Sequence, residues 1–594
     1  MGTIWVKEFT GGLDTRRLPE TTQTAVLIKA NNGHITRGGE FESRKAFVPE
    51  FTLPEGTTGL AVERQGLVVF GSEVSINTPP GIRYQQLVHP DGETALSRVL
   101  SSDLFQSQLY AVAEFIDGSR YHYFDGELVT GWFDGHARAS FTVKGGIPAV
   151  LDGQGEVLFE ASEISALKVN GVEIITEPIK WEESNTYTAE LIAQAVNDFD
   201  SSPGYKATAA GPTVSIIAVD KGTDANGQTV TYELDNGFSV SPAQGTELDG
   251  GAGSDDTSHP GGFVKTIGSK MYSLSGPNVH FSGVADATSW DTETVGAGFI
   301  DISAENSASD ELTALDRYQN NVAVFAEGAT QIWYVDPDPE LNRWVQTLNN
   351  TGTSYPNSVT QFGDSDLFYL DESGLRSLRA RDSSGAASTN DIGVPVDNLI
   401  TERLALLTET ERSRIGTIIE PDSGRFWLAM KDQIFIFSYF AGAKVSAWST
   451  YDSVDKYGLN FDIDDLLVFG KRVYLRGGNT IYVYGGISTG REYDETVAEA
   501  HLPFLDANQP TKRKEFTALD AAAQGTWEVA ISANLDDESV EDPVCTLTST
   551  TYPHDSVPAS GEATHLSPRF RSKGVGPHIL SSVVVHYKGS TDDD

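Results

Sequence analysis

The chain has 594 residues, 39% hydrophobic and 10% aromatic, which excludes global disorder and at roughly 100–200 residues per domain implies three to five domains. Asp and Glu number 84 against 42 Lys and Arg, a formal charge of -42 that repels nucleic-acid phosphates and disfavours ordinary DNA binding. One cysteine, Cys545, excludes an intrachain disulfide framework, the opening MGTIWVKEFTGG lacks the apolar run of a signal peptide, and no stretch reaches the ~18 consecutive apolar residues of a membrane-spanning helix.

Residues 1–50 mix short strands with turns (IWVKEF, GGLDTRR, NNGHITRGG). From about 55 the pattern becomes periodic. TGLAVERQGLVVFGS reads as two strands, and QLYAVAEFIDGSRYHYFDGELVTGW as three, with tight turns at Asp117-Gly118 and Asp125-Gly126. In the latter, Tyr110, Val112 and Glu114 alternate with Ala111, Ala113 and Phe115. Strand, Asp-Gly, strand is the strongest short-range hairpin signal.

Between 138 and 245 the texture changes to small strands around one amphipathic helix, TAELIAQAVNDF. Leu191, Ile192, Ala195, Val196 and Phe199 share a face at helical spacing, and Thr188 is the expected N-cap. This predicts a small α+β module inserted into a repeating β architecture. The run GTELDGGAGSDDTSHPGG (245–262) marks its exit as a Gly/Asp linker. From 263 to about 486 hairpin blocks return at intervals of roughly 40–60 residues, the scale of a four-stranded propeller blade. One helix, PVDNLITERLALL, interrupts them, with Pro395 expected at its first position. The last hundred residues read as a sandwich-like β unit whose edges the N-terminal strands complete.

The expected fold class is therefore mainly β: a β-propeller with an inserted small α+β module and a terminal β-sandwich-like platform domain. The expected boundaries are 1–54 for N-terminal strands belonging to the platform, 55–137 for the first part of the propeller and 138–245 for the module. The remainder of the propeller takes 246–490 and the C-terminal domain 491–594.

Catalytic motifs are sparse. Gly486-Ile-Ser488-Thr-Gly490 matches a nucleophile elbow, which needs strand, tight turn and helix. Neither a βαβ pattern nor a convincing acid and histidine follow it, so the glycines read as the end of a propeller strand. The 11 histidines lack zinc-ligand spacing. Gly253-Ser-Asp255-Asp256 and Asp462-Ile-Asp464-Asp465 are rich in oxygen ligands but lack the spaced positions and closing Glu of a calcium loop, and read as solvated turns. Trp333, Trp427 and Trp448 would suit a sugar platform, yet at such positions aromatics more often anchor strands against adjacent blades. No catalytic, cofactor-binding or metal-binding residue is expected.

Several segments in chain order resemble tail proteins of short-tailed bacteriophages: FTGGLDTRRLPE, AVAEFIDGSRYHYFDG, VHFSGVADATSW, GAGFIDISAENSASDELTALDRYQNNVAVFAEGATQIWYVDPDP, SVTQFGDSDLFYLDESGLRSLRARDSSG, VSAWSTYD and SPRFRSKGVGPHILSSVVVHY. The chain is most similar to the tail tubular protein B, or tail nozzle, family, with 138–245 the least family-typical part. The resemblance implies a non-enzymatic virion protein assembled in the host cytoplasm, six copies of which form a ring around the genome ejection channel. A tail adaptor would bind above, a tail fibre or tip protein at the side or below, and DNA would pass without specific binding. No membrane insertion of its own is expected. The alternative is a propeller-type glycan-degrading or host-receptor-binding protein.

Overall fold

Tight turns set the local structure. Gln108–Phe115 and Arg120–Phe124 form antiparallel strands, with Tyr110 opposite Phe124. The next turn, Asp125-Gly126, holds both residues at positive φ (51° and 88°), as a two-residue hairpin turn requires and as Asp-Gly tolerates. The computed structural model describes residues 2–64, 66–129, 136–154, 156–221, 223–249, 251, 261–290, 295–302, 311–384, 391–537, 539–553 and 556–589.

Hairpins of this kind build six small sheets and one end of a larger sheet, seven blades in all among the described residues. Blade 1 is Thr58–Glu63, Gly66–Gly71 and Ile82–Gln86, its third strand parallel to the second. Blade 2 is Leu96–Phe105, Gln108–Phe115, Arg120–Phe124 and Glu127–Leu128. Blade 3 is Val264–Ile267, Lys270–Ser275, Asn278–Phe281 and Gly298–Asp301. Blade 4 is Leu312–Tyr318, Asn321–Ala326, Ala329–Tyr334 and Arg343–Asn349. Blade 5 has three strands, Thr360–Phe362, Asp366–Asp371 and Gly374–Ser377. Blade 6 is Gly416–Ile419, Phe426–Met430, Gln433–Phe440 and Val445–Asp452. Blade 7 is Asp465–Phe469, Arg472–Gly477 and Thr480–Tyr484, and its fourth strand, Phe47–Thr52, comes from the N-terminal region.

The first strand of each blade lies beside the first strand of the next, and the seventh returns to the first, so the sheets close into a seven-bladed β-propeller. Apolar faces fill the gaps between blades. Leu60, Val69, Tyr474 and Val483 pack blade 7 on blade 1, and Ala61, Phe70, Ala111 and Phe115 pack blade 1 on blade 2.

The platform is built from both ends of the sequence. Gly2–Val6 pairs with Ile579–Gly589, which also pairs with Lys514–Gln524. A second sheet runs from blade 6 without a break through Lys29–Asn31, Glu499–His501, Ser567–Ser572, Trp527–Ser532 and Asp542–Leu547, eleven strands in all among the described residues. The two sheets enclose Phe41, Phe516, Trp527, Phe570 and Val583, and the same core continues into Phe368, Leu428, Phe435 and Trp448 of the propeller. Platform and propeller thus share one sheet and one core.

Between blades 2 and 3 the chain leaves the propeller for the α+β module. One sheet orders Tyr205–Ala210, Thr213–Lys221, His136–Gly145 and Ser239–Ser241, a second is built on Glu163–Val169 and Thr229–Asp235, and the helix α1 (Asn185–Asn197) packs on them. Thr246–Glu247 is still a module strand, so the module reaches past 245 into the expected linker; residues 252–260 of that linker, Gly253 to Asp256 included, lie outside the described residues.

Two helix starts differ from expectation. α1 is capped by Ser184, whose Oγ accepts the Tyr187 N–H at 3.1 Å. Thr188 lies a turn inside, its hydroxyl buried and bonded at 3.0 Å to both backbone groups of Glu182. The helix α2 (Leu378–Ser384) follows blade 5, and α3 (Asp397–Leu406) begins after Val396 rather than at Pro395. The Pro395 carbonyl instead accepts Thr15 N–H and Oγ1–H at 2.9 and 3.0 Å, tying the N-terminal segment to the propeller.

Candidate functional site

The innermost strands of all seven blades surround a central channel of about 790 Å³. The lining carries the carboxylates Asp103, Glu311, Asp316, Glu409, Asp464 and Asp465 against the cations Arg98, Arg120, Lys265, Arg414 and Arg476, so its formal charge is nearly balanced.

Polar contacts staple four of the seven neighbouring blade pairs along this wall. Asp103 Oδ2 accepts the Thr266 N–H at 2.8 Å, joining blades 2 and 3. Lys265 reaches Asp316 at 3.2 Å, joining blades 3 and 4. Burial alone would lower the Lys265 pKa, but the Asp316 and Asp103 charges outweigh it and the ammonium is held above its ordinary value. Thr360 and Thr417 share a hydroxyl–hydroxyl bond of 2.6 Å between blades 5 and 6. Asp464 pairs with Arg414 and, at 3.4 Å, with Arg476, which also holds Asp465 at 2.5 Å, joining blades 6 and 7.

A one-turn helix sits at the channel wall. α4 (Glu409–Arg412) carries a full capping box, Thr408 Oγ1 accepting the Glu411 N–H while Glu411 accepts from the Thr408 N–H. Ser413, just after it, accepts from Arg98 of blade 2 at 2.6 Å, and the same guanidinium donates to Glu114 at 2.6 Å. Blades 2 and 6 are not neighbours in the ring, so this bond spans the channel and latches α4 against the far wall. The T-E-T-E stretch at 408–411 carries the S/T-x-x-E signature, which was the signal available for this helix; nothing in sequence marked Arg98 or Ser413.

The flagged motifs fall elsewhere. Gly486, Ser488 and Gly490 lie in the turn after Thr480–Tyr484, with Gly486 and Gly490 at φ 73° and 68° and no helix following. Asp464 and Asp465 are ion-paired to arginines rather than clustered with one another around a free space. Trp427 and Trp448 are fully buried, Trp448 stacked on Phe437 at 4.8 Å with its Nε1–H donating to the Ile392 carbonyl at 2.8 Å. Trp333 is half-buried and donates to Gln331 at 2.9 Å. Among the described residues no group of three or more His, Cys, Asp or Glu is placed to hold a metal ion.

No protein-family model matches the chain, and no curated protein does either. Among solved structures, BamB from Moraxella catarrhalis aligns at TM-score 0.30 and 8% identity, covering 75% of this chain and 98% of its own. The exo-beta-1,3-galactanase from Phanerochaete chrysosporium aligns at TM-score 0.22 and 11% identity, covering 55% and 95%. The extracellular domain of a putative hybrid two component system from B. thetaiotaomicron aligns at TM-score 0.25 and 9% identity, covering 94% and 85%. At such scores these likenesses carry no argument about activity. The class is defined by the chain's own topology: a seven-bladed β-propeller with an inserted α+β module, fused to a β-sandwich platform.

Proposed function

We propose that this chain is a non-enzymatic structural component of a bacteriophage short tail, one copy of a nozzle ring around the DNA ejection channel. The observation that carries the reading is the eleven-stranded sheet shared by blade 6 and the platform. It joins the two bodies without a hinge, as suits a scaffold that supports an adaptor above and a fibre or tip protein below. The sequence resemblance along the chain points the same way.

The channel chemistry supports it too. A glycosidase needs two carboxylates about 5–5.5 or 6.5–9.5 Å apart, one free to carry a proton. Here Asp316, Asp464 and Asp465 are held by cations and Asp103 by a backbone N–H, which serves cohesion between blades and leaves Glu311 and Glu409 as the other lining carboxylates. Nor does DNA take this path: the Arg98–Ser413 bond crosses the channel and joins its two walls. The ejection path is the space between copies, and the surplus negative charge lies outside the propeller channel.

Light scattering on the purified chain and a reconstruction of the assembled tail test the reading. The expected result is a six-copy ring with a bore lined mainly by Asp and Glu. A chain that stays monomeric in the particle, or a bore lined mainly by Lys and Arg, overturns it.

A further inference from the structure

The platform sheet holds a buried guanidinium with one edge empty. Lys29, His501, Arg569 and Ala530 stand opposite one another on the neighbouring strands Lys29–Asn31, Glu499–His501, Ser567–Ser572 and Trp527–Ser532. Residues opposite one another share a face of the sheet. It is the face away from the core, because Phe570, the residue after Arg569, joins the core. Even so, the Arg569 and His501 side chains are only 4% and 8% exposed. The connection after Trp527–Ser532 returns over this face, with Ser532 Oγ donating to the Val540 carbonyl at 2.7 Å and Arg569 Nη1 donating to Glu541 at 3.3 Å.

The charges here do not balance. Ion pairs join three cations, Lys29, Arg569 and Arg571, to two carboxylates, Glu499 and Glu541. Glu541 is already held by two nitrogens of Arg571, at 2.5 and 3.0 Å, and Glu499 by Arg571 Nε and Lys29. Burial first, and the Arg569 charge next, hold His501 neutral down to about pH 3. The cluster therefore keeps one positive charge in excess, within a chain of net charge -42.

The excess has a direction. Arg569 Nε and Nη2 have no hydrogen-bond partner among the described residues, and neither has His501 Nε2, which stops 3.7 Å short of Glu499. Nε–H and the neighbouring Nη2–H lie on one edge of the guanidinium, the fork that grips two oxygens of a carboxylate, sulfate or phosphate. Arg16 shows that fork filled, its Nε and Nη2 holding the two oxygens of Asp14. Other buried arginines leave at most one nitrogen unpartnered among the described residues. Ala530, on the far side of Arg569, sends no polar group toward it. Water satisfies such nitrogens but leaves the charge, and a buried charge without a counter-charge is costly.

We infer that Arg569 and His501 form a site for a small inorganic oxyanion of the sulfate or phosphate kind, two oxygens held on the Arg569 Nε–Nη2 edge and a third by His501 in its Nε2–H tautomer. The ion supplies the missing counter-charge and ties Glu499–His501 to Ser567–Ser572. The site lies within one copy, so it does not depend on the nozzle reading.

Thermal melts of the full-length chain in low millimolar sodium sulfate, with ionic strength held by sodium chloride, test the site. A bound ion raises the melting temperature with the logarithm of its concentration, at levels far below those where exclusion of sulfate from the surface stabilises proteins generally. Arg569→Lys keeps the charge but loses the fork, so the same rise should require roughly tenfold more sulfate. Should Arg569→Lys fail to fold, wild-type crystals grown with sodium selenate locate the ion by the anomalous scattering of selenium, expected on the Arg569 edge. A wild type indifferent to low millimolar sulfate, an equal rise in Arg569→Lys, or selenate crystals without a peak at Arg569 overturns the site.

Discussion

Arg44 is a buried and fully engaged charge. Its side chain and that of Asp494 are 1% and 3% exposed and meet at 3.1 Å, while Nη2 donates to the Val454 carbonyl and to Thr496. The pair fixes the N-terminal segment to the platform entrance. Removing one partner of such a pair strands the other in a low dielectric at a cost of ~3–5 kcal/mol, so Asp494→Ala should lower the denaturant midpoint markedly with an unchanged slope. The two buried tryptophans make a finer comparison. Trp448 donates to a carbonyl, whereas Trp427 Nε1 has no hydrogen-bond partner among the described residues. Truncating either to Ala should cost ~3–5 kcal/mol. Replacement by Phe should separate them: Trp448→Phe orphans the Ile392 carbonyl, while Trp427→Phe also removes an unpaired donor, and thermal melts should show the smaller loss for Trp427→Phe. Histidines set the pH response. Burial holds His122 down to about 3, its Nε2–H donating to the Gly261 carbonyl at 3.0 Å and its Nδ1 accepting from Tyr110 at 2.9 Å. His501 is likewise held down to about 3, by burial first and by Arg569 next. An unfolded histidine titrates near 6.5. Between ~6.5 and ~3 the unfolded chain binds protons that the folded chain refuses, so stability is complete above ~6.5 and falls as the pH drops through that window. Melting temperatures should decline from pH 7 to 5, less steeply in His122→Gln; a flat wild-type profile would contradict this.

Elements were legible where the information was local. The Asp125-Gly126 turn follows from two residues that tolerate positive φ, and the strands beside it follow from alternation. The helix starts were misplaced because the competition is between near neighbours: Ser184 offers its oxygen one turn before Thr188, and the backbone of Glu182 claims the Thr188 hydroxyl. The number of blades was not legible, because it depends on which strands meet across the ring, and Phe47–Thr52 completes a blade made otherwise of 465–484. The channel staples were invisible for the same reason. Arg98 and Ser413 are 315 residues apart, and no spacing rule links them. The latch they form has its own consequence. Thr408→Ala removes the α4 cap, worth ~1 kcal/mol, and hydrogen exchange at Glu411 should rise locally while the global melt barely moves.

At the scale of the whole molecule the inserted module stands apart. Its core runs from Ala137 to Leu248 and includes no residue of the propeller or platform cores. Replacing 136–249 by a short Gly/Ser bridge should therefore leave a β-rich protein that unfolds cooperatively, as scanning calorimetry can check; loss of the transition would mean that module and propeller are interdependent. The platform offers no such freedom. Asn31 donates to Asp452, 421 residues away, at 2.7 Å, and Phe47–Thr52 finds its partner only in Thr480–Tyr484. During synthesis Gly2–Val6, Lys29–Asn31 and Phe47–Thr52 therefore emerge long before the strands they pair with. At ~5–20 residues per second they wait for tens of seconds with open edges, and the platform closes after the ring, because Ile579–Gly589, the partner of Gly2–Val6, emerges later than Thr480–Tyr484. Such high contact order slows folding. The same closure makes unfolding all-or-none, since no blade can leave a ring whose final strand is donated by the opposite end of the chain.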